Sequence, residues 1–110
     1  DHCHGVWLAL TKGTPGEAYD FGGDAEVENI KLVTTLCELL DKKRPKQESY
    51  KNQISFVADR PGHDRRYAID DSKAARELGY TKRFTLAKGL EATVDWYLNN
   101  EAWCKTMMAA

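Results

Sequence analysis

The residue pattern predicts an α+β fold, on three observations. Ile30, Val33, Leu36, Cys37 and Leu40 recur at i, i+3, i+6, i+7 and i+10, the stripe of an amphipathic helix. The run ISFVAD, residues 54–59, is rich in the β-branched and aromatic side chains that suit a pleated surface. Gly-Gly and Pro-Gly pairs punctuate these segments. The expected order is α-β-α-β-β-α-α, in a single domain over residues 1–110.

Taken in order, Asp1 is placed to cap a helix over about residues 2–12, with Val6, Leu8 and Leu10 among its apolar positions. KGTPGE ends it, because two glycines and a proline do not continue a helix. EAYDFGG reads as a short strand closing in a glycine turn, and the stripe from Ile30 to Leu40 follows. KKRPKQESYKNQ is a polar, proline-broken stretch that reads as a solvated connection rather than a phosphate or nucleic-acid patch. ISFVAD and RYAID are expected as strands on either side of a Pro61-Gly62 turn. Ser72 is expected to cap a short helix ending at Gly79, where a left-handed residue belongs. Thr85 is expected to cap a last helix with Leu86, Leu90, Val94 and Tyr97 on one face. The tail CKTMMAA is expected to fray.

Composition bounds the function classes. The chain has 110 residues, 42% hydrophobic and 30% charged, with a net charge of -1. That balance supplies no basic field for nucleic acid, and no apolar run reaches the roughly 20 residues a membrane helix needs. Neither nucleic acid nor a membrane is expected as a partner. Cys3, Cys37 and Cys104 are odd in number and sparse, which suits reduced thiols and a cytoplasmic location. Because the first residue is Asp1 and not Met, the chain is expected to be a trimmed or partial one.

Three constellations could carry chemistry. In DHCHG, His2, Cys3 and His4 diverge by about 100° each along a helix and cannot converge on one metal. They read as solvated histidines and a packed thiol, with no metal expected. In YDFGGDAEVENIKLV a strand, a glycine pair and a helix N-terminus form a place where an anion can sit. There Asn29 either caps the helix or turns its amide toward a phosphate. The third is ADRPGHDRRYAID, residues 58–70. Arg60, Arg65 and Arg66 can each grip phosphate through two donors, and a histidine such as His63 can donate as well. Asp59, Asp64 and Asp70 are placed to pair with the arginines. From the residues alone, an anion pocket and a surface turn laced with ion pairs stand equal.

The run VADRPGHDRRYAID closely resembles the signature in the C-terminal part of dTDP-glucose 4,6-dehydratases, of the extended short-chain dehydrogenase/reductase superfamily. DH opening a helix, GEAYDFGG, DSKAARELGY and GLEATVDWYLNNEAW resemble successive family segments in the same order, over residues 1 to about 103. SKAARELGY and GLEATVDWYL resemble many nucleotide-sugar enzymes, whereas the Pro-Gly-His-Asp-Arg-Arg-Tyr run points to the dTDP-glucose dehydratases. The resemblance implies the substrate-binding subdomain of such an enzyme, without its Rossmann half. It implies that Asn29, Arg60 and His63 contact the pyrophosphate of dTDP-glucose, with Arg65, Arg66 and Tyr67 as supporting structure. The chain departs from the family pattern at Asp20, at Ala25 and in LGYTKRF.

The family reaction uses NAD, a Gly-rich cofactor loop, a Tyr-x-x-x-Lys pair and an Asp-Glu acid/base pair, which the resemblance assigns to the other portion. Neither the loop nor the Tyr-x-x-x-Lys pair occurs in these 110 residues. The chain is therefore expected to bind no NAD itself and to be inactive alone as a lyase. The expected partners are a dTDP-sugar, a Rossmann-containing half and further copies of the chain in a homo-oligomer. The alternatives are a stand-alone, non-enzymatic nucleotide-sugar-binding or protein-association module, or a foldable remnant.

Overall fold

The first helix, α1 (His2–Lys12), starts at Asp1 as expected, yet the Asp1 side chain does not cap it. Its carboxylate accepts instead from the backbone amides of Arg83 and Phe84, each at 3.2 Å, fastening the start of the chain to the 83–84 segment. These features belong to a computed structural model that describes residues 1–64 and 66–109. The described residues fall into two compact units, Asp1–Glu26 with Asp64–Leu86, and Val27–His63 with the segment from Ala87 onward.

In the first unit, α1 packs with α3 (Ser72–Leu78). Leu8, Ala74, Leu78 and Tyr80 form the buried core, with Ala9, Tyr19 and Phe21 packed against it. Gly79 ends α3 in the left-handed conformation, φ +70°, as its sequence position predicts. That reversal turns Tyr80 inward, where its hydroxyl donates to the Gly22 carbonyl at 3.0 Å. Lys82 joins two carboxylates, at 2.5 Å from Asp24 and 2.9 Å from Asp71 Oδ2. Among the described residues the buried Oδ2 has no hydrogen-bond partner beyond this ion pair, and the Lys82 ammonium donates to Oδ1 at 3.2 Å. The burial of Asp71 is thus compensated by a charge beside it. Both carboxylates raise the Lys82 pKa, Asp24 more than Asp71.

In the second unit, α2 (Asn29–Lys43) meets a 3₁₀ turn at Tyr50–Gln53, and α4 (Leu86–Asn99) and α5 (Glu101–Met108) follow. Asp41 accepts from Ser49 Oγ at 2.5 Å and from the Tyr50 amide at 2.9 Å, which fixes the 3₁₀ turn to the end of α2. Lys43 pairs with Glu91 at 3.2 Å and Asp95 at 2.7 Å, and Arg44 pairs with Glu101. Trp96 stacks edge-on with Trp103 at 5.3 Å between centroids, so α4 and α5 share an aromatic contact.

Several expectations are corrected. Among the described residues every regular element is helical, so the α+β assignment is not realised here. The segments expected as strands form no ladder. A strand needs a neighbour to receive its backbone groups, and β propensity supplies none. Phe56 and Val57 are 85% and 86% exposed, which marks a segment with no sheet face to bury. The tail is ordered as α5 up to Met108, because Trp103 has an aromatic partner to pack on. Ala110 lies outside the described residues. Ser72 is the first helical residue of α3, with Asp71 as its cap position. The Ser72 amide donates to Asp70 at 2.9 Å. Asp70 therefore serves the helix start rather than an arginine, and that bond holds its carboxyl below the usual range.

Candidate functional site

Residues 58–63 of the second unit hold two of the three residues singled out from the sequence. Pro61-Gly62 forms the expected turn, and Gly62 has φ +73°. Proline followed by a residue of positive φ is the arrangement of a type II turn, which glycine adopts without strain. Before the turn, Asp59 Oδ1 accepts from the Arg60 amide at 2.8 Å. After it, the same oxygen lies 2.7 Å from His63 Nδ1. One carboxylate thus clasps both ends of the turn from which Arg60 and His63 project. The bond to His63, and secondarily the Arg60 amide, hold the Asp59 carboxyl below the usual range against some desolvation.

Asn29 stands elsewhere in the same unit. It is the first residue of α2, and Glu28 occupies the cap position with no side-chain cap bond. Of the two alternatives for Asn29, the cap is therefore not realised. Asn29 lines a groove of about 480 Å³ together with Ile30, Val33, Cys37, Tyr50 and Phe56. The apolar stripe read from the sequence forms one wall of that groove. Arg60 and His63 do not line it.

The other residues of the signature find separate partners. Arg66 pairs with Glu26 at 2.8 Å, an acidic partner absent from the sequence reading. Arg65 lies outside the described residues. Asp59 pairs with His63 rather than with an arginine, and among the described residues no carboxylate lies within ion-pair distance of the Arg60 guanidinium. Gly22 and Gly23 belong to the first unit, and α2 begins at Asn29 in the second.

At the N-terminus His2 is exposed, as expected, and the thiol departs from expectation. Cys3 is exposed rather than packed. His2 meets the edge of Phe21, with ring centroids 6.0 Å apart. His4 lies 3.2 Å from the Arg83 guanidinium, and its pKa is lowered by desolvation first and by that cation second.

Sequence reasoning missed the link from Asp59 to His63, although the Asp-x-x-x-His spacing across a Pro-Gly turn was the available signal. It missed the groove as well, whose opposite wall comes from Tyr50, Gln53, Ile54 and Phe56.

The model of the family described as GDP-mannose 4,6 dehydratase matches residues 1–93, and the chain belongs to that family. Within it, the chain is similar to dTDP-glucose 4,6-dehydratases. That of Shigella flexneri is 49% identical over 107 residues, 97% of this chain and 30% of the relative. The dTDP-glucose 4,6-dehydratase 1 of Escherichia coli strain K12 is 50% identical over 103 residues, 94% of this chain and 28% of the relative. A crystal structure of a dTDP-glucose 4,6-dehydratase double mutant from Streptomyces venezuelae, with NAD and DAU bound, superposes with a TM-score of 0.80. It is 41% identical over 94% of this chain and 30% of that one. The chain therefore spans about 30% of the length of the relatives it matches. The resemblance carried by VADRPGHDRRYAID is borne out. Among the described residues, no helix is long and apolar enough to cross a membrane.

Proposed function

We propose that this chain is the substrate-binding portion of a dTDP-glucose 4,6-dehydratase, holding the pyrophosphate of a dTDP-sugar through Asn29, Arg60 and His63. The observation that supports this most is the Asp59 clasp. It fixes a turn from which a guanidinium with no carboxylate partner among the described residues and an imidazole both project. An arginine already neutralised by a carboxylate would gain little from a phosphate, whereas an unpaired one offers its full charge and two parallel donors.

The residues present do not fit NAD. There is no Gly-rich dinucleotide loop, and the Gly22-Gly23 pair is followed by a bend at Asp24 instead of a helix N-terminus. No chemical step is assigned to this chain, and its contribution is to bind and orient. Contacts to the base and the sugar would come from a Rossmann-containing half. Affinity for dTDP-glucose is accordingly expected nearer mM than nM, about -4 rather than -12 kcal/mol. Arg60→Ala tests the assignment by titration with dTDP-glucose. It is expected to remove about 2 kcal/mol of binding, some thirtyfold in affinity. An unchanged affinity would remove Arg60 from the site.

A further inference from the structure

We propose that Asp59 is a positioning residue that locks His63 as an Nδ1–H donor, so that gripping a phosphate through Nε2 takes up a proton. The inference rests on the reading of Arg60 and His63 as phosphate-holding residues, and it adds a control on when they hold it. An ionised carboxylate only accepts hydrogen bonds, so the 2.7 Å contact between Asp59 Oδ1 and His63 Nδ1 places a proton on Nδ1. A neutral ring has one proton, which leaves Nε2 as a bare acceptor. Phosphate oxygens are acceptors too, so two lone pairs would face each other. Protonating Nε2 turns that opposition into a charge-assisted hydrogen bond. Asp59 is held to this task from a second side, because its Oδ1 also accepts the Arg60 amide at 2.8 Å. Among the described residues, Asp59 is the charged group in contact with His63. Arg60 and Asp64 are its other charged neighbours along the turn.

The test uses dTDP-glucose, whose pyrophosphate diester keeps a constant charge near neutrality, and reads both affinity and the ring nitrogens. Affinity of the unaltered chain is expected to fall about tenfold between about pH 6 and pH 8. Nitrogen-15 shifts of the neutral His63 ring should show the proton on Nδ1. Asp59→Ala frees Nδ1 and lets the neutral ring present Nε2–H, so its affinity should change less than about threefold over the same range. Asp59 is exposed, so the variant retains its packing. A neutral ring protonated at Nε2 in the unaltered chain, or an unchanged slope in Asp59→Ala, would overturn the lock. Failure of the underlying reading looks different: Arg60→Ala and His63→Ala would bind as the unaltered chain does, while the nitrogen shifts still report on the lock.

Discussion

At Gly5 the backbone of α1 meets the ring of Phe21. A methyl group added there would lie 2.5 Å from Phe21 Cδ1 and 2.6 Å from Cγ, well inside contact distance. The ring has little room to yield, since it packs on Tyr80 with centroids 5.1 Å apart and Tyr80 is held to the Gly22 carbonyl. Two effects oppose each other in Gly5→Ala. Helix propensity favours alanine by about 1 kcal/mol, and overpacking costs about 1–3 kcal/mol. The clash should prevail, and the variant should unfold at lower urea concentration than the unaltered chain. An equal or higher midpoint would show that Phe21 moves aside. This close approach was hidden in the sequence, because Gly5 and Phe21 are brought together only by the packing of the first unit. Arg60 and His63, by contrast, were legible as candidates: the Pro-Gly turn is local, and both side chains leave it within four residues.

The helices were legible wherever local chemistry sets them. The stripe from Ile30 to Leu40 became α2, and Gly79 closed α3 with its positive φ. The strands were not, because a strand is a relation between two segments, and the pattern of ISFVAD describes only one of them. The 3₁₀ turn at Tyr50–Gln53 was also missed in a stretch read as plain connection. Its cause is Asp41, nine residues before Tyr50, which accepts from Ser49 and from the Tyr50 amide. Those bonds, Ser49 first, lower the Asp41 carboxyl pKa below its ordinary value. The folded chain therefore prefers ionised Asp41. The stabilisation is complete above the ordinary carboxylate range and is lost as pH falls through the depressed value. The Tyr50 amide proton shift should follow that protonation in an acid titration, and Asp41→Asn should abolish the response. A Tyr50 amide indifferent to pH in the unaltered chain would break the link between Asp41 and the turn.

At the scale of the whole molecule, the chain matches dehydratases along nearly all of its own length while spanning about 30% of theirs. The family assignment follows from the match to residues 1–93. The role of this portion turns on whether a half-site holds its ligand. The most direct measurement is a titration of isotope-labelled chain with dTDP-glucose, followed by amide shifts, with glucose as the control. Saturable shifts centred on Asn29, Arg60 and His63 at mM ligand, absent with glucose, are the predicted result. No shifts with dTDP-glucose, or equal shifts with glucose, would contradict the pyrophosphate site.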